Sequence, residues 1–117
     1  MQYMLLAYAD INVFLKMTPE ETKRTYGAYQ AFTEALTKAG AYKAGGRLQP
    51  TSTATTVRVE NGKTQVLNGP YVETKEQLGG YYLIDVPDLD AALSWAARCP
   101  ASSHGTVEVR PIWVMQS

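Results

Sequence analysis

Cysteine is nearly missing from this sequence. Cys99 stands alone, so no internal disulfide can form. Histidine is as scarce, with His104 the single example. One imidazole and one thiol are too few for a zinc centre, and no metal site is expected. An excess of charge of either sign is also lacking: eleven Lys and Arg balance eleven Asp and Glu. Without a basic face the chain does not read as a nucleic-acid binder. Long hydrophobic runs are missing too. The apolar stretch from Met4 to Ala9 stops at Asp10, too short for a signal peptide or a membrane span. The expected setting is the cytoplasm, away from membranes. Gly45-Gly46 and Gly79-Gly80 lack the flanking pattern of a phosphate-binding loop, so no cofactor is expected.

What is present describes an ordinary globular domain. With 117 residues, 45% of them hydrophobic and 19% charged, the chain suffices for a single domain, 1–117, with one core. A net charge of zero gives little colloidal protection, which favours hiding surface in an oligomer. Cys99, at the end of a helical pattern and just before Pro100, reads as a small buried filler.

The chain is organised around the stretch from Asn68 to Tyr82. Asn68-Gly69-Pro70 is a turn, since Asn and Gly tolerate positive φ and Pro fixes φ. Charged residues Glu73, Lys75 and Glu76 follow, then Gly79-Gly80, then an apolar strand. Upstream, Gln2 to Tyr8 reads as a first strand and Asp10 to Met17 as a connection. Thr18 is a good N-cap, Pro19 suits the first helical position, and Glu21 completes a capping box. Tyr26, Tyr29, Phe32 (or Thr33) and Leu36 then form one apolar stripe, taken as core, and Gly40 ends the helix. Tyr42 to Gln49 is a second strand, with a bulge or close backbone approach at Gly45-Gly46. Thr53 to Glu60 and Lys63 to Leu67 flank Asn61-Gly62, a type I′ hairpin signal. Gly80 to Val86 is a central strand. Asp88 caps a second helix whose buried stripe is expected at Leu89, Ala92, Leu93 and Ala96. Pro100 to Gly105 is a loop, and Thr106 to Met115 is the last strand.

Without the hairpin the order is βαββαβ, the split βαβ pattern of a ferredoxin-like α+β fold. Two helices cover only one face of a sheet. The strand from Gly80 to Val86 is too apolar for its other face to be wet. The expected solution is a homodimer packed sheet to sheet, a dimeric α+β-barrel, with the hairpin as an inserted peripheral arm.

The opening Met1-Gln2-Tyr3-Met4-Leu5-Leu6, the run from Gln49 to Arg58, the segment from Glu73 to Gly80 and the ending Glu108-Val109-Arg110-Pro111 occur here together. In this combination the whole chain resembles the YCII-related proteins, in the branch named for an Asp-Gly-Pro-Phe signature. The resemblance implies a dimeric barrel of ferredoxin-like halves. It implies, for related domains, small enzymes of the muconolactone-isomerase kind with a His/Asp pair. For this branch it implies a regulatory context beside alternative sigma factors. The sequence departs from the signature at Asn68, in place of the Asp, and at Tyr71, in place of the Phe. Asn keeps the turn but cannot serve as a base.

Five side chains are candidates for binding a ligand. Asp10 ends the first strand, Arg47 follows Gly45-Gly46, Asn68 and Glu73 belong to the central stretch, and Arg110 precedes Pro111. Each has a plain alternative: a loop acid, a turn residue, surface charge, or for Arg110 an ion pair with Glu108 or Glu73. His104 has the one pKa suited to proton transfer near neutrality, yet its Ser-Ser-His-Gly setting reads as an exposed loop. Three functions fit. The first is a cleft that binds or transforms a small polar or anionic metabolite. The second is a non-catalytic accessory dimer of a sigma-factor system, and the third a structural dimer without a pocket. Convergent polar groups in an apolar cavity would favour the first.

Overall fold

The structure, a computed structural model, describes residues 1–115. Three helices and six strands follow one another as β1 (Gln2–Ala9), α1 (Ile11–Leu15), α2 (Pro19–Lys38), β2 (Tyr42–Arg47), β3 (Thr55–Glu60), β4 (Lys63–Asn68), β5 (Gln77–Asp85), α3 (Leu89–Arg98) and β6 (Thr106–Pro111). The fold is mixed α+β. Four strands form one antiparallel sheet in the order β2-β5-β1-β6, and β3-β4 form a separate two-stranded sheet.

Local chemistry explains most boundaries. Thr18 accepts from the Glu21 amide at 3.1 Å while Glu21 accepts from the Thr18 amide at 3.3 Å, so the capping box starts α2. Asp88 accepts from the Ala91 amide at 2.9 Å and starts α3. Gly40, at φ 73°, lets the chain leave α2. Asn61 and Gly62 take φ 50° and 75°, both left-handed, as a type I′ hairpin requires. At the central turn the positive φ belongs to Gly69, at 110°; Asn68 is the last residue of β4.

Four details differ from the sequence expectation. The connection after β1 contains the helix α1, begun by Asp10, whose carboxylate accepts from the Asn12 amide at 3.0 Å. Strand β2 stops at Arg47, because the chain from Pro50 turns out into the arm. Strand β6 stops at Pro111, an edge-strand position where a proline is tolerated, and the next amide, that of Ile112, still donates to the Gln2 carbonyl at 2.9 Å. On α3 the buried stripe is rotated by about one position: Ala92 and Ala96 are buried, while Leu89 and Leu93 are about half exposed. The small alanines bring α3 close to the sheet, and the leucines fall at the margin.

The sheet has two unlike faces. Tyr3, Leu5 and Ile84 meet Phe32 and Leu36 of α2 and Ala92 and Ala96 of α3 in one core. Cys99 is buried with them, and burial pushes its thiol pKa up, away from reactivity. The opposite face carries Met4, Leu6, Tyr8, Tyr81 and Leu83, none of them buried. The arm leaves the domain altogether, and the whole body measures 49 × 47 × 18 Å. No helix among the described residues is long and apolar enough to cross a membrane.

Candidate functional site

Under the N-terminal half of α2 the core is interrupted. On the helix-facing side of the sheet, β2, β5, β1 and β6 contribute the row Arg47, Gly80, Ala7, Val107. The middle two side chains of that row are a hydrogen and a methyl, so only Arg47 at its edge rises to meet Tyr26, and the middle of the sheet leaves space under Tyr29. The space left is a cavity of about 420 Å³, closed at one end by Ile11 and Phe14 of α1. It falls within the usual size range of small-molecule sites, ~300–1,000 Å³.

The floor is aromatic. Tyr82 stands edge-on to Phe32, with ring centroids 5.1 Å apart, and to Tyr42 at 6.4 Å. Its hydroxyl shares a hydrogen bond of 3.1 Å with Thr33 Oγ1. Gly45 admits this ring, since a Cβ there would touch Tyr82 Cδ1 at 3.0 Å. The close approach expected at Gly45-Gly46 is therefore a packing of tyrosine rings on bare backbone; the register irregularity lies earlier, between Tyr42 and Ala44.

At the mouth, Arg47 lies over the Tyr26 ring, 4.8 Å from its centroid, and donates to the Tyr26 hydroxyl. The ring holds the guanidinium in place and leaves other N–H groups free for a ligand. Tyr29 reaches the interior. Burial pushes its pKa up to about 12, with smaller upward contributions from Cys99 and Tyr82, while Arg47 pulls it down. Burial also raises Tyr82. Both hydroxyls stay protonated at neutral pH; Tyr82 donates to Thr33 Oγ1, which itself donates to the Tyr29 carbonyl, so of the two it is Tyr29 that can donate to a ligand. Among the described residues Arg47 is the one charged side chain in the lining, which holds no carboxylate, imidazole or amine.

The raised Tyr29 pKa has a measurable consequence. An unfolded tyrosine ionises near its ordinary value of 10.0, whereas the folded protein keeps this proton to about 12. The associated stability is intact below pH 10 and falls as pH rises through that window. Urea midpoints should drop more steeply from pH 10 to 11.5 for the wild type than for Tyr29→Phe. Equal slopes would place Tyr29 in contact with solvent.

The five sequence candidates do not form one constellation. Arg47 lines the cavity. Asp10 caps α1, Asn68 closes the arm opposite Thr55, and Glu73 is exposed in the segment before β5. Arg110 lies on the open sheet face, 2.6 Å from Glu108, which also accepts from Tyr8 at 3.3 Å. Hydrogen bonding by Arg110 holds the Glu108 carboxyl below its usual range. Sequence reasoning missed Tyr29, Thr33 and Tyr82 as lining groups. The signal was present in the small residues Ala7, Ala9, Gly45, Gly46, Gly79 and Gly80 at three strand ends facing an aromatic stripe.

His104 is not an exposed loop residue. Its ring stands edge-on to Phe14 at 5.8 Å, and its Nε2 is enclosed without a hydrogen-bond partner. It lies behind the cavity wall rather than in the lining. Among the described residues no three His, Cys, Asp or Glu side chains converge as metal ligands.

Comparison with known proteins agrees with this architecture. The YCII-related domain matches residues 1–116. The uncharacterized protein R00369 of Rhizobium meliloti (strain 1021) is 40% identical over 114 residues, 96% of this chain and 92% of that protein. A solved structure with a similar fold is 5-chloro-2-hydroxyhydroquinone dehydrochlorinase (TftG) from Burkholderia phenoliruptrix AC1100, in complex with 2,5-dihydroxybenzoquinone. Its TM-score is 0.53 at 14% identity, over 97% of this chain and 94% of that one. At that identity the likeness concerns the fold alone.

Proposed function

The chain belongs to the YCII-related family, and on that premise we propose that the cavity under α2 binds a small ring compound bearing anionic or carbonyl oxygens. The observation that carries this reading is the lining itself: apolar walls, phenol donors and one guanidinium at the mouth. Such a site rewards a flat apolar body and an acceptor oxygen, and among the described residues it presents no anionic side chain to a cation. The dihydroxybenzoquinone held by the structural neighbour has this chemistry and is a sensible first probe.

The protomer is read as a ferredoxin-like half of a dimeric α+β-barrel in the cytoplasm, two copies meeting through the open sheet face. Met4, Leu6, Tyr81 and Leu83 give that face an apolar centre, and Glu108 and Arg110 give it a polar margin. The finer choice between transforming and holding the ligand turns on the same lining. With no carboxylate or imidazole in it and both phenols held in the neutral form, the cavity lacks a general base at neutral pH. That favours a binding role, as in an accessory dimer of a sigma-factor system, over proton-transfer catalysis.

Calorimetric titration with 2,5-dihydroxybenzoquinone and with benzoate checks the site. Arg47→Met should weaken binding by roughly ten- to a hundredfold, since a charge-assisted hydrogen bond contributes ~1.5–3 kcal/mol. An unchanged affinity in Arg47→Met, or binding of neither probe, would overturn the proposal.

A further inference from the structure

The hairpin arm and the segment after Pro111 are two stretches of this chain that its own core leaves uncovered. Val57, Val59 and Val66 share one face of the β3-β4 ladder, and each is 60% exposed or more. The reverse face is mostly polar, carrying Thr56, Arg58, Glu60, Lys63 and Gln65 beside the single apolar Leu67, and Arg58 there lies over the Tyr71 ring. A lone two-stranded hairpin is marginal in water and needs a surface to pack on. Beyond Pro111, Trp113, Val114 and Met115 are each exposed by more than three quarters.

Register fixes where these features lie. Arg47 of β2 and Gln77 of β5 flank the arm, and Gln77 pairs with Ala9 at the end of β1. Pro111 pairs with Tyr3 at the beginning of β1, on the far side of the sheet. Arm and C-terminal segment therefore leave from diagonally opposite corners. When two sheets face each other, a two-fold axis between them along the other diagonal carries each corner onto its opposite. The arm of one copy then meets the C-terminal segment of the next, twice, as closed symmetry demands.

Area argues for the same contact. Four strands about 4.8 Å apart and about 20 Å long present a face of roughly 400 Å². Two such faces bury roughly 800 Å², short of the ~1,200–2,000 Å² of a stable interface. The valine face and the Trp113 segment are exposed apolar surfaces placed at the two corners where they can make up the difference.

We propose that the valine face of the arm packs on Trp113, Val114 and Met115 of a second copy of this chain, clasping the dimer at both ends. This rests on the dimer reading given above. The test mixes Val57→Cys protein with Met115→Cys protein under mild oxidation; native Cys99 is buried and inert. A disulfide-linked pair should form in the mixture, and none when Arg58→Cys, on the reverse face, replaces Val57→Cys. In parallel, Val57→Asp/Val59→Asp should raise the dimer dissociation constant at least tenfold by sedimentation equilibrium, with an unchanged far-UV spectrum. A wild type that sediments as a monomer at micromolar concentration overturns the dimer itself. A wild-type dimer with no Val57–Met115 cross-link, or one unmoved by the aspartates, overturns the clasp and leaves the sheet contact standing.

Discussion

Gly105→Ala is expected to unfold the protein or lower its melting temperature by roughly 10 °C or more, well beyond an ordinary surface substitution. Gly105 enters β6 where that strand crosses the end of β1. A Cβ at this position would overlap the carbonyl oxygen of Tyr8 and approach Ala9 Cβ at 3.2 Å. Backbone cannot swing aside as a flexible side chain does, so β6 would have to part from β1. Overpacking of this kind costs ~1–3 kcal/mol or more. The strain would also reach the cavity, because Ala7 and Ala9 of β1 line it. Gly27→Ala serves as the control: Gly27 is exposed within α2 and nothing stands within 4 Å of the added carbon. That change should stabilise by ~0.5–1 kcal/mol, as alanine is the better helix former. Thermal unfolding followed by circular dichroism compares the two. A melting temperature for Gly105→Ala within 2 or 3 degrees of wild type, roughly the shift of a sub-kcal change, would show that β6 is not held where described.

Leu36→Ala is expected to lose ~2–5 kcal/mol in urea unfolding, whereas Leu93→Ala should lose less than about 1 kcal/mol. Leu36 is fully buried at the centre of the contact between α2 and the sheet, surrounded by apolar groups that cannot close the gap. Leu93 is 47% exposed and gives up little when truncated. Comparable losses at the two positions would mean that α3 is turned toward the sheet by its leucines after all.

The contrast between these leucines shows where the sequence was readable. Thr18 with Glu21, Asp88, and Asn61 with Gly62 act through neighbours within three residues, so their structural effects follow from local spelling. The inner place of β5 is legible for a related reason, since the residues between Gly80 and Val86 are too uniformly apolar for an exposed edge. Leu89 and Leu93 depend on something else. How far a helix rolls about its axis is set by the sheet beneath it, and α3 settles on alanines because they permit closer approach. Helix α1 escaped notice because five residues carry no periodicity to detect.

The cavity is the harder case. Tyr26, Tyr29, Phe32 and Leu36 make a single stripe, yet its second half is core and its first half is wall. Spacing along α2 is helical in both halves, three residues in the first and four in the second. What changes is the partner surface: Tyr3, Leu5 and Ile84 fill the sheet under Leu36, and Ala7 and Gly80 leave it empty under Tyr29. Those residues lie in strands distant in sequence, joined only by folding. Arg47 was found from its glycine neighbours, while Asp10, Asn68, Glu73 and Arg110 lead to other parts of the surface.

The thinness of the body governs how it moves through water. With a radius of gyration of 16.3 Å, against about 13 Å for a compact chain of this length, a single copy is a plate. Plates suffer more friction than spheres of equal mass, so one copy would leave a sizing column ahead of a globular marker. Stacking two plates 18 Å thick, their facing sheets about 10 Å apart, gives a block roughly 46 Å deep, beside sides of 49 and 47 Å. Such a block is nearer a sphere, so mass would double while the hydrodynamic radius grew by less than it does for two globules joining. Association would register as a large step in sedimentation rate and a small one in elution volume. That pairing of signals is the hydrodynamic signature of two slabs closing face to face.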